Sequence, residues 1–120
     1  MGKQRSRSSR RAEVGAGMRG VRLEELIREE LNSILETEIA DPRLENVRIT
    51  LVELSRDGAR ARAWYAGAMF DRTSLDRQRA AFESALGFLR ARLCEALPLK
   101  RSPQLTFRWD PQVAEESPEP

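Results

Sequence analysis

The sequence has no histidine and one cysteine, Cys94, among its 120 residues. Without histidine the commonest general base and the commonest metal ligand are both missing. A zinc site has no donor set to draw on, and a cysteine–histidine nucleophile cannot be assembled. A single cysteine excludes an internal disulfide, which fits a reducing cytoplasm. No apolar run approaches the ~20 residues that cross a membrane. Met1-Gly2-Lys3-Gln4-Arg5 leads into no apolar stretch of the secretory type, so a signal peptide is not expected. The chain shows no internal repeat, no glycine-rich phosphate loop and no heptad run. With no nucleophile–base pair, metal cluster or phosphate loop, an enzyme is the weakest class, and no cofactor or metal is expected.

Charge is abundant instead. Charged residues make up 33% against 40% hydrophobic, a soluble balance with room for one modest core. The formal net charge of +2 hides a segregation. Residues 1–22 sum to +6, residues 23–41 to −6, residues 42–109 to +6 and residues 110–120 to −4. A basic arm and a basic body therefore flank one acidic helix. Polarised charge of this kind favours a polyanion on one side of the molecule; scattered solvated charge is the plainer alternative.

Residues 1–20 are rich in Arg, Ser and Gly and read as a disordered basic tail. Residues 21–110 read as one domain, and 111–120, with prolines among acids, as an acidic flexible tail. From Arg22 the pattern turns helical. Leu23, Leu26, Ile27, Leu31, Ile34, Leu35 and Ile39 form one apolar stripe, with Glu24, Glu25, Glu29 and Glu30 mostly opposite. Asp41-Pro42 stops it, because a residue before proline is pushed out of the α region. Val47–Ser55 reads as a strand, with Val47, Ile49 and Leu51 on one face. Asp57-Gly58 is a hairpin signal. On the return strand, Ala59–Ala66, alternation puts Ala61, Ala63 and Tyr65 on one face and Arg60, Arg62 and Trp64 on the other. Two arginines beside an aromatic suit RNA backbone and bases, but such a face is more often simply solvated.

Thr73 or Ser74 is placed to cap a second helix, with Leu75, Phe82, Ala85, Leu86, Leu89, Leu93 and Leu97 inward. Gly87 interrupts this pattern and predicts a kink or a close backbone approach. Pro98 ends the helix, and Gln104–Trp109 is a third strand. The order predicts an α+β fold, a three-stranded sheet with helices packed on one face.

That order, α-β-β-α(kink)α-β, is similar to a type II KH-like domain, and four local sequences resemble the ribosome-binding factor A family. They are Glu38-Ile39-Ala40-Asp41-Pro42-Arg43-Leu44, with an Asp-Pro-Arg element; Val52–Asp57 followed by Ala61–Tyr65; Ala85-Leu86-Gly87 within Ala85–Arg90; and Pro103-Gln104-Leu105-Thr106-Phe107, then Asp110. The family carries an Ala-x-Gly kink where other KH domains have a Gly-x-x-Gly loop. Three departures stand out. Gly58 replaces a larger residue, Gln104 replaces Glu, and residues 111–118 do not read as the family's further C-terminal helix.

The resemblance implies a monomeric cytoplasmic assembly factor, without a membrane role, that binds the immature small (30S) ribosomal subunit and its 16S rRNA. It implies help in late rRNA maturation, including 5′-end processing, importance in the cold, and release aided by a ribosome-associated GTPase. Placing the kink Ala85, Leu86 and Gly87 where a KH domain presents RNA makes Arg90, Arg92, Lys100 and Arg101 the first candidates for phosphate contact. Arg43, Arg56, Arg10 and Arg11 come second. The rivals are a protein–protein adaptor using the acidic helix and a general nucleic-acid-binding module, including one for DNA.

Overall fold

A computed structural model describes residues 18–67 and 72–111. Residues 1–17 of the expected tail, with Arg10 and Arg11, and residues 112–120 lie outside the described residues; residues 18–20, expected in the tail, already belong to the first helix.

Helix α1 (Met18–Thr37) starts ahead of Arg22. Its apolar stripe buries Ile27, Leu31, Ile34 and Leu35, as the spacing predicts. Two residues depart from the stripe: Leu26 is exposed, while Glu24, expected on the solvated face, is buried. Glu24 has a specific partner, since its carboxylate accepts the Leu54 N–H at 2.8 Å. The helix itself ends at Thr37, before Asp41-Pro42. Asp41 is extended (φ −99, ψ 116), as a residue before proline must be, and caps a 3₁₀ turn, Pro42–Leu44.

Strand β1 (Arg48–Leu54) pairs antiparallel with β2 (Arg60–Ala66). The expected alternation in β1 fails halfway. Ile49 faces Tyr65 and Leu51 faces Trp64, so Thr50 is bulged out of register. One extra residue flips everything after it. Val52 and Leu54 point inward, and Leu51 does not. The Thr50 hydroxyl is held by Asp110, donating to its carboxylate at 2.7 Å.

Helix α2 (Arg72–Ala96) begins just before Thr73 and carries the chain across to β3 (Gln104–Trp109). Such a crossover is what a parallel pairing requires, and β3 lies parallel to β2 in a sheet ordered β1-β2-β3. The helix runs through Ala85-Leu86-Gly87 as one continuous element, Arg72–Ala96, rather than as two separate helices. No backbone approaches Gly87 either, since a Cβ built there meets nothing within 4 Å. A glycine costs a helix ~1 kcal/mol. The burial of Phe82, Leu89 and Leu93 on the same helix, ~1.5–3 kcal/mol each, outweighs it.

Both helices pack on one face of the sheet, over Ile49, Val52, Ala61, Ala63, Tyr65 and Leu105. The alanines of β2 leave room for large helical side chains. Phe82 occupies the centre, stacked on Phe107 at 4.2 Å and tilted against Tyr65 at 4.8 Å. The outer edge of β1 is covered by α1. Besides Glu24, the Asn32 amide donates to Ile49 O at 3.0 Å and accepts from Ile49 N at 2.7 Å. An edge strand with its polar groups occupied is a poor template for further pairing.

Candidate nucleic-acid interface

The β1–β2 turn is built as the sequence predicts. Gly58 takes the left-handed conformation (φ 75), and Asp57 folds its carboxylate over the turn. It accepts from the Ser55 hydroxyl at 2.8 Å and the Ala59 N–H at 3.0 Å. The Ala59 N–H, then the Ser55 hydroxyl, hold the Asp57 carboxyl below its ordinary range, with smaller help from Arg101 and Arg60. The turn is thereby fixed by its own hydrogen bonds, and Arg56 is exposed beside it.

Beside it lies an open groove of about 610 Å³, bounded by the start of α1, the hairpin and the loop after α2. Its walls include Leu23, Leu26, Leu54 and Leu99. Arg22, Arg56, Lys100 and Arg101 also line it, all four exposed. Among the described residues, none of these four side chains forms a hydrogen bond or ion pair. Cations in that condition keep their counterions and can exchange them for phosphates.

The other candidate arginines are occupied within the fold. Arg90 reaches from α2 to the loop before β3, where its guanidinium donates to Ser102 Oγ at 3.0 Å, Pro103 O at 3.1 Å and Ser102 O at 3.1 Å. It pairs with neither Glu83 nor Glu95. Arg92 forks onto Glu38 at 2.7 and 2.9 Å, joining α2 to the end of α1, and also binds Glu95. Arg43 closes back on Asp41 at 2.7 and 3.0 Å. Ala85 and Leu86 lean on the core, and Gly87 and Phe88 are exposed.

These contacts set different expectations for two variants. Arg90→Ala strips three hydrogen bonds from the Ser102-Pro103 loop, and charged hydrogen bonds carry ~1.5–3 kcal/mol each at best. It is expected to lower the urea midpoint while leaving the salt dependence of ligand binding unchanged. Glu38 behaves differently, because the bond from Arg92 holds its carboxyl below the ordinary range. Stability from the pair is present above the ordinary carboxylate pKa and is lost as pH falls through the lowered one. Glu38→Gln is therefore expected to reduce stability at neutral pH and to leave the acid end of a stability–pH curve unaltered.

A larger depression, about 780 Å³, opens between the end of α1 and the 3₁₀ turn. Glu36, Asp41 and Glu45 line it, so its field disfavours phosphate. Of these two, the groove at the hairpin is the cationic one.

Residues 19–118 match the family model for ribosome-binding factor A. The ribosome-binding factor A of Heliobacterium modesticaldum is 42% identical over 95 residues, 79% of this chain and 78% of that one. The chain belongs to the ribosome-binding factor A family. Its fold is shared with the crystal structure of ribosome-binding factor A from Thermus thermophilus, at a TM-score of 0.66 and 24% identity, over 74% of this chain and 92% of that one. It is shared too with a homology model of the Thermus thermophilus protein fitted into the cryo-EM map of a 30S–ribosome-binding factor A complex, at a TM-score of 0.61 and 24% identity, over 81% of this chain and 97% of that one. The KH-like α+β arrangement is thus that of the family. The family match also runs to residue 118, across the acidic segment that composition sets apart.

Ribosome-binding factor A motifs acquire physical reasons here. The Asp-Pro-Arg element is a self-contained turn: Asp41 accepts the Arg43 N–H at 2.9 Å and the Arg43 guanidinium together, and Pro42 supplies the first φ. Pro103 is buried where Arg90 clamps its carbonyl. Sequence reasoning missed Arg22 as a groove residue. It stands at the edge of the helical stripe, and only the tertiary fold brings it to Arg56 and Lys100.

Proposed function

We propose that the protein is a non-catalytic, cytoplasmic assembly factor that binds the immature small ribosomal subunit as a monomer and assists late 16S rRNA maturation, including 5′-end processing. Family membership carries this reading, together with the complex of the Thermus thermophilus neighbour with the 30S subunit. The cationic groove supports it, because rRNA is the dominant polyanion of that particle. In this reading Arg56, Lys100 and Arg101, joined by Arg22, bind phosphates. Arg90 holds the Ser102-Pro103 loop that follows Lys100 and Arg101, while Arg92 and Arg43 are engaged elsewhere, by Glu38 and Asp41. Leu23 and Leu26 give the groove an apolar wall against which a base or sugar can rest. Release by a ribosome-associated GTPase and a stronger requirement in the cold complete the proposal.

The test is co-sedimentation of the purified protein with isolated small subunits and with assembled ribosomes across a salt series. Binding to the small subunit alone, weakening with salt, is the expected result. Absence of binding to either particle at low salt overturns the reading. A second reading, a protein–protein adaptor, rests on the acidic depression beside Glu36, Asp41 and Glu45. Retention on a protein partner after ribonuclease treatment would decide for it.

A further inference from the structure

The face of the sheet turned away from the helices is uncovered among the described residues. Strand alternation puts Arg60, Arg62 and Trp64 of β2 on it. Pairing sets Thr106 beside Arg62 and Arg108 beside Trp64. Successive same-face positions on a strand are ~6.6 Å apart, close to the spacing of phosphates along an extended nucleic-acid strand. A shallow depression of about 280 Å³ runs over Arg60, Arg62 and Arg108.

The two carboxylates that border this depression are withdrawn from solvent: Glu24 is 2% exposed and Glu53 is 8% exposed. Glu24 is bound to the Leu54 N–H. Glu53 lies 3.8 Å from Arg62 and accepts the Trp64 indole N–H at 3.4 Å. The depression thus sets three exposed or half-exposed arginines against two buried carboxylates, a net positive charge, and the Trp64 indole stands next to it, paired with Arg108. Glu24, Leu54 and Ser55 border both this depression and the groove, so the base of the hairpin links the two.

We propose that the open sheet face is a second RNA-binding surface, taking one single strand with Arg60, Arg62 and Arg108 on its phosphates and Trp64 against a base. It rests on the reading above that the partner is RNA, and it extends that contact from the groove, around the hairpin, onto the sheet. Charge complementarity favours a polyanion. The flat array of cations and one aromatic suits an unpaired strand, whose bases are free to stack.

Trp109→Phe leaves Trp64 as the sole indole, since the chain has two tryptophans. Titration of that protein with a short oligouridylate is expected to quench Trp64 emission saturably. Changing Arg60, Arg62 and Arg108 together to Gln is expected to abolish the quench and to lower the slope of log affinity against log salt by about 2, at ~0.7 per contact with a single strand. Should that variant fail to fold, Arg60→Gln with Arg108→Gln, which breaks no ion pair, carries the same test with a slope change of about 1.4. Glu53→Gln removes the negative charge facing Arg62 and is expected to tighten binding severalfold. A purely structural Glu53–Arg62 pair would not produce that gain.

Small-subunit co-sedimentation of the same proteins separates this proposal from the functional reading. Particle binding with no Trp64 response overturns the sheet surface and leaves the function standing. Loss of both overturns both. Trp64 emission that ignores RNA but changes when residues 112–120 are removed assigns the face to the protein's own acidic segment, and overturns the proposal as well.

Discussion

Phe82→Ala is expected to lower stability by about 3–5 kcal/mol, the range for an aromatic truncated in a core. Phe82 is 1% exposed and is the largest of the fully buried side chains. Its ring is stacked on Phe107 and tilted against Tyr65, so truncation loses contacts on two strands at once. It also sits on α2 and joins that helix to β2 and β3, between which α2 makes the crossover. Closing the hole would require α2 to sink toward a sheet whose Ala61 and Ala63 already bring it close. Domains of this size hold ~5–15 kcal/mol in total, so the loss is a large fraction. Urea unfolding followed by far-UV circular dichroism measures it, with Phe82→Leu as a milder variant if Phe82→Ala does not fold. Phe88→Ala, on the same helix but 45% exposed, is the control and should stay within about 0.5 kcal/mol. Equal effects at the two positions would mean that α2 packs by another face.

What the sequence made legible was whatever a local period controls. The stripe of α1, the inward alanines of β2, the Asp57-Gly58 turn and the limits of β3 all follow from spacings of two, three or four residues. The failures have tertiary causes. Thr50 carries nothing that marks a bulge, because its reason is Asp110, sixty residues on. Glu24 belongs to the solvated pattern of its helix and is buried only because the β1 edge offers it the Leu54 N–H. Gly87 reads as a break, yet the helix continues because the residues on either side of it bury large side chains. The candidate site shows the same division. A run of basic residues after α2 was visible, but an arginine's spacing does not say whether it faces a phosphate or a carbonyl. Arg90 has Ser102 and Pro103 within reach and is used up there. Lys100 and Arg101, a few residues later, have no such partner among the described residues.

That difference sets the largest functional effect. Changing Arg56, Lys100 and Arg101 together to Ala is expected to weaken small-subunit binding on the order of 10²–10³-fold near 0.1 M salt, because each phosphate contact carries roughly a factor of eight there. The slope of log affinity against log salt should fall by about 2–3. The fold should survive, since the three side chains are exposed and make no hydrogen bond or ion pair among the described residues. The small attraction that Arg101 loses to Asp57 is offset by relief of repulsion in the body, where thirteen basic residues in segment 42–109 face seven acidic ones. The contrast with Arg90→Ala makes the test sharp. Arg90→Ala should lose stability and keep its salt slope, and the triple variant should keep its stability and lose slope. A triple variant that binds as the wild type does, with the same slope, would move the phosphate contacts away from the groove. The reverse pattern, in which Arg90→Ala loses slope and the triple variant does not, would mean that the clamp on Ser102-Pro103 opens when the particle binds. Arg90 would then exchange two carbonyls and a hydroxyl for phosphate, and the occupied arginines would be the RNA-binding ones.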